Sequence, residues 1–153
     1  MATTNHIKRT LFLTVMGLLV FSGASANAEE RINFDAFLWK NRPLLIFAPS
    51  PDASEYKTLM TQLNAQADQI IDRDMVLIEI FDIGLVRVDG KPWPDENAEN
   101  LRKQFSVTTG YLTAILIGKD GGQKLRQSKR VDLGSIFALI DTMPMRQQEM
   151  RNN

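Results

Sequence analysis

The chain has 153 residues, 18 basic and 18 acidic, with one histidine and no cysteine. Hydrophobic residues make up 44% and charged residues 24%, the mix of an ordinary globular protein with length enough for one core. The histidine, His6, falls in a leader marked for removal, so the expected mature chain has neither histidine nor cysteine. That composition excludes thiol redox chemistry, cysteine nucleophiles, Ser-His-Asp triads, histidine bases, and zinc, haem or iron–sulfur sites ligated by those residues.

The leader reads as a signal peptide over residues 1–28. Lys8-Arg9 supply a positive start, Leu11 to Phe21 an apolar stretch, and Ala26-Asn27-Ala28 the small residues of a cleavage site. The apolar run is short for a membrane span, so no span is expected after cleavage. The destination is periplasmic or secreted, and residues 29–153 form a single domain without disulfides. That domain has two more acids than bases and no basic stripe, which argues against nucleic acid as a partner.

Asn33 is placed to cap a short helix through Phe34, Phe37 and Leu38, ending near Asn41. Leu44 to Ala48 is an apolar run too short for a helix and reads as a strand covered on both faces. After the turn Pro49-Ser50-Pro51-Asp52, a helix is predicted from Ala53 to Gln69, with Tyr56, Leu59, Met60 and Leu63 on one face. Met75 to Phe81 is a second buried strand, followed by a turn-rich stretch from Asp82 to Pro94. Glu96 to Phe105 suits a helix, with acids in its first turn and Arg102 and Lys103 in its last. Leu112 to Ile117 and Gln123 to Arg126 form a hairpin around Asp120-Gly121-Gly122. Asp132 caps a last helix, Leu133 to Asp141. Met143-Pro144 breaks it, and a polar tail runs from Arg146 to Asn153.

This order predicts a three-layer α/β sandwich, with a mixed central sheet of about four strands flanked by helices. A strand–helix–strand unit leading through a helix to a hairpin and a final helix is also the layout of the thioredoxin fold. In that fold the first strand's trailing loop carries the redox cysteines; here it is Ala48-Pro49-Ser50-Pro51-Asp52-Ala53-Ser54. The cis-proline of that fold would lie in Val107 to Thr113, which contains no proline.

Four segments, Leu38 to Pro49, Asp72 to Val76, Leu116 to Arg126 and Leu139 to Arg146, together resemble a family of bacterial domains of unknown function with a thioredoxin-like fold. Related domains form the C-terminal parts of secreted sushi-repeat-containing and coiled-coil-domain-containing animal proteins. The resemblance implies the fold and an exported context. It implies no agreed activity: a peroxiredoxin-like role is suggested for such domains, and this chain lacks the cysteine that role needs.

Candidate binding residues follow from the same layout. Pro49, Ser50, Asp52 and Ser54 lie at a helix start, where free N–H groups favour an anion and where Ser50, Asp52 or Ser54 can cap the helix. Lys124 and Arg126 beside Gly121-Gly122 offer a second place for an anion, and Trp93, between two prolines, a contact point for a partner protein. An unidentified protein or small anion is the expected partner, on a non-redox interaction module; no cofactor, catalytic group or metal is expected. The alternatives are an enzyme using Ser50 with Lys40, Lys124 or Arg126, and a structural subunit of an envelope complex. Met143, Met145 and Met150 are weak candidates for copper(I), and Asp95, Glu96 and Glu99 for calcium. Arg42, Arg73-Asp74 and the stretch Asp141 to Arg146 are charges beside apolar runs, expected to pair with one another at the sheet's end.

Overall fold

A computed structural model describes residues 34–93 and 97–152; residues 1–33, 94–96 and 153 lie outside it. The expectations for residues 1–28, for Asn33 as a cap and for Asp95 and Glu96 therefore fall outside the described residues.

The first buried run forms β1 (Arg42–Ala48), with every residue inaccessible or nearly so. Seven residues at about 3.3 Å each carry the chain some 23 Å across the molecule. It returns through α1 (Ser54–Ala65) and α2 (Ala67–Asp72) to β2 (Met75–Phe81), which pairs parallel to β1. This is the crossover that a parallel pair requires. The single helix expected over residues 53–69 is divided at Gln66, whose backbone turns to φ −120° and ψ 28°.

The stretch read as turns from Asp82 to Pro94 contains two strands, β3 (Val86–Val88) and β4 (Lys91–Pro92). Asp89 and Gly90 between them have φ of 46° and 77°. Positive φ at both central residues is the twist that a two-residue hairpin needs. The helix α3 (Ala98–Phe105) starts at Asn97, whose side chain accepts from the N–H groups of Glu99 and Asn100 at 2.8 and 3.2 Å. Then come β5 (Thr113–Ile117), β6 (Gln123–Ser128) and α4 (Leu133–Asp141), the last with the expected boundaries and with Asp132 as its cap.

The tail expected after Met143-Pro144 is a further helix, α5 (Pro144–Asn152). Proline at a helix's first position costs nothing, because that N–H has no intrahelical acceptor. At the other terminus, the helix expected up to Asn41 is a single 3-10 turn, Phe34–Ala36, with turns after it and a left-handed residue, Trp39, at φ 61°.

The sheet order is β4-β3-β2-β1-β5-β6, so the sheet has six strands instead of about four. Only β1 and β2 run parallel. The sheet is mixed and covered on both faces, as expected. Leu44, Ile46 and Leu116 face α1, α2 and α4 in one apolar cluster; Leu45, Phe47 and Ile115 face α3 and the N-terminal aromatics in the other. Among the described residues no helix is long and apolar enough to cross a membrane.

Candidate site at the loop end of the sheet

Where β1 and β2 finish, three loops meet: 48–53, 81–85 and 106–112. They are tied by one residue pair that sequence reading did not single out. Arg102, on the inner face of α3, donates to the carbonyls of Ala48 at 3.3 Å and Ile80 at 3.1 Å, one at the end of each parallel strand. Its guanidinium lies over the Phe47 ring, 5.4 Å from the centroid, and pairs with Asp82. The other carboxyl oxygen of Asp82 accepts from Gly110 N–H at 2.8 Å. A single buried cation therefore holds β1, β2 and the loop before β5 in one arrangement. Around it, Ile83 and Tyr111 stand 67% and 54% exposed.

Beneath the start of α1 lies a second unit. Glu79 sits in the middle of apolar β2 and is 1% exposed. It accepts from the Tyr56 hydroxyl and, at 3.1 Å, from Gly90 N–H, with Arg87 3.9 Å away. Burial first, then the bond to Glu79, raises the Tyr56 phenol above its ordinary value of 10. The phenol thus stays protonated as a donor, and α1 is joined to the β3–β4 turn through one carboxylate. Replacing Tyr56 with phenylalanine leaves that carboxylate a donor short. A loss of about 1–2 kcal/mol of stability is expected by urea denaturation; an unchanged midpoint would show that Gly90 and Arg87 suffice.

The expected helix-start site is present in position but not in detail. The N-cap of α1 is Ala53, which makes no side-chain bond. Ser50 Oγ instead accepts from Asp52 N–H at 3.2 Å, Asp52 pairs with Lys57 at 3.0 Å, and Ser54 donates to Glu55 at 2.9 Å. Each expected capping group is engaged by a nearer partner, and Ser54 is already inside the helix. Pro49 lies at the turn out of β1, next to the Ala48 carbonyl that Arg102 holds. Beside α1 runs a 470 Å³ groove, between Ser54, Thr58 and Gln62 on one wall and Lys129 to Gly134 on the other.

The remaining candidates lie elsewhere. Lys124 pairs with Asp120 at 2.6 Å, and Arg126 donates to the carbonyls of Phe105 and Ser106 at the end of α3. Trp93 folds back onto Phe37, edge to face with centroids 6.2 Å apart. Ser50 is at one end of β1 and Lys40 beyond the other, about 20 Å away at strand spacing. Lys124, at the start of β6, is also at the far end. Neither lysine meets Ser50, and Arg126 is engaged at the end of α3, so among the described residues none of these three cations is placed as a base for Ser50. Met143 packs on the core, while Met145 and Met150 are exposed. Among the described residues no group of three or more acidic side chains is placed to hold a metal.

The charges beside the apolar runs do converge, at the opposite end of the sheet. Glu149 of α5 accepts from both terminal nitrogens of Arg42, at 3.1 and 3.0 Å, and from Lys119 at 2.7 Å. Lys119 also reaches Asp74 at 2.7 Å, Arg73 reaches Asp141 at 2.7 Å, and Arg146 pairs with Asp72 and Asp141. The network docks α5, a helix with little apolar surface of its own, across the end of the sheet.

Comparison with known proteins places this geometry. The family model described as a domain of unknown function (DUF4174) matches residues 33–149. Coiled-coil domain-containing protein 80 of Danio rerio is 26% identical over 74% of this chain, which spans 15% of that protein. Sushi repeat-containing protein SRPX2 of Xenopus laevis is 26% identical and that of Homo sapiens 28%, each over 76% of this chain and 26% of the relative. The chain thus spans about a quarter or less of the curated relatives it matches. Among solved structures, a reduced 2-Cys peroxiredoxin of Plasmodium vivax aligns with TM-score 0.56 at 14% identity, covering 76% of this chain and 85% of that one. Thioredoxin peroxidase I of Plasmodium yoelii aligns with TM-score 0.55, also at 14% identity, over 76% and 80%. At such identity the likeness concerns the fold, which is thioredoxin-like.

Proposed function

We propose that this protein, which belongs to the DUF4174 family, is an exported, non-redox binding module, periplasmic or secreted in a bacterium. In this reading the loop end of its thioredoxin-like scaffold grips a partner, where redox proteins of the fold carry cysteines. One observation carries the reading. In a chain without cysteine, three loops at that end are pinned by buried Arg102 and its partner Asp82 while Ile83 and Tyr111 stand exposed beside them. A frame kept rigid around exposed apolar side chains lowers the ordering cost of association. The leader pattern of residues 1–28 and the likeness to sushi-repeat proteins support export. The partner is an unidentified protein, or a small anion in the groove beside Lys129 and Arg130.

A photoreactive amino acid at position 111 tests the reading, with position 71, on exposed Ile71 of α2, as the control. A discrete adduct in cells from position 111, absent from position 71, is expected. Equal labelling at both positions, or peroxide-reducing or hydrolytic turnover by the purified protein, would overturn it.

A further inference from the structure

We propose that β6, an edge strand with no outer neighbour among the described residues, takes up an extended acidic segment of a partner protein as a seventh strand. The proposal rests on the reading of the chain as a binding module and names the partner's chemistry.

The two edges of this sheet differ. On one side β4 is two residues long, ends in Pro92, which has no N–H, and is followed by the folded-back Trp93. These are devices that prevent pairing. On the other side β6 runs six residues without proline and is exposed along most of its length. Its register opposes Thr113 to Ser128, Ala114 to Gln127 and Ile115 to Arg126, and Lys129 N–H donates to the Leu112 carbonyl at 2.7 Å. In an antiparallel pair, bonded and non-bonded positions alternate. Lys129 and Gln127 therefore turn their backbone groups inward, and Arg126 and Ser128 present theirs to the open edge. Two outward residues, two positions apart, are what an added strand bonds to.

Charge selects the occupant. Lys124, Arg126, Lys129 and Arg130 lie within seven residues of one another, with Asp120 and Asp132 the acids at either end. The carbonyls of Phe105 and Ser106 hold the Arg126 guanidinium in place without neutralising it. A 220 Å³ pocket opens on the same face as Arg126, walled by Thr108, Tyr111, Ser128 and Lys129, with the Lys129 ammonium 5.5 Å from the Tyr111 ring centroid. An added strand projects alternate side chains to that face, where a carboxylate meets two cations and hydroxyl donors. A second copy of this chain fits poorly, because two such edges would set like charges opposite one another.

The probe is a fluorescent ten-residue peptide of alternating glutamate and valine, titrated onto the full chain with amide shifts recorded by NMR. Saturable binding is expected, with the largest shifts from residue 124 to residue 130. Affinity should fall about tenfold for the double variant Lys129→Glu, Arg130→Glu, both exposed, and fall further with salt. The same peptide N-methylated at every residue, which leaves neither edge a backbone donor, should not bind. That arm leaves the protein untouched, so a misfolded variant cannot mimic it. Equal binding of the methylated peptide, tighter binding of a heparin fragment, shifts centred elsewhere, or a β6-paired dimer would each overturn the proposal. If the peptide fails while the adduct at position 111 persists, only the strand addition falls; if both fail, the binding-module reading falls with it.

Discussion

Replacing Asp82 with alanine is expected to cost about 2–3 kcal/mol of stability, at or just under the range for stranding a charge in a buried ion pair, because Arg102 is buried but Asp82 is partly exposed. The Arg102 side chain is 8% exposed and that of Asp82 20%. Without the carboxylate, the guanidinium stays over Phe47 with only the Ala48 and Ile80 carbonyls as acceptors. Gly110 N–H loses its acceptor in the same step, so faster amide exchange is expected around Gly110, and weaker partner labelling from position 111. The variant Arg102→Met separates the two roles of the pair. It removes the buried charge and fills similar space, while the more exposed Asp82 can take water. It should therefore cost less than Asp82→Ala and still loosen the loops. Urea denaturation of both variants, with hydrogen exchange, decides the matter. A loss below about 1 kcal/mol for Asp82→Ala would mean that the carbonyls alone compensate the cation.

Replacing Glu149 with alanine should cost a comparable amount, about 3 kcal/mol, and release α5. Arg42 is 1% exposed and depends on Glu149 for both of its terminal nitrogens' contacts with a carboxylate. The helix buries no residue other than Arg146, so little apolar contact would keep it in place. Trypsin should cut at Arg146 and Arg151 sooner in the variant than in the parent.

The same contacts set the response to acid. Burial pushes Glu149 up, but bonds from Arg42 and Lys119 outweigh it and hold the group below its ordinary 4.5. Asp141 is likewise raised by burial and more strongly lowered by Arg73 and Arg146, to below 3.8. A carboxyl lowered on folding stabilises the protein above its unfolded value and loses that contribution as pH falls through the folded value. Stability should therefore decline from about pH 4.5 downward, and less steeply in Glu149→Ala, which has lost one of the two groups.

The sequence by itself determined the strands β1, β2 and β5 and the helix α4, because runs such as Leu44 to Ala48 and the cap Asp132 are local patterns of burial and hydrogen bonding. It also determined that this chain supplies no thiol of its own, since it has no cysteine. Glu79, a lone acid within an otherwise apolar strand, is a local signal of a buried partner. Asp89-Gly90, within the stretch expected as turns, is likewise the two-residue turn of the β3–β4 hairpin. What only the tertiary structure decided is which charges meet. Arg42 and Glu149 are 107 positions apart, and Arg102 reaches Ala48 across 54. Such pairs have no period and no spacing, because they depend on which strand ends and helix faces the sheet order brings together. For the same reason the polar tail became a docked helix, and β6 an open edge: an ion pair or a strand edge is a relation between distant segments, whereas a helix cap or a buried strand is written within a few residues.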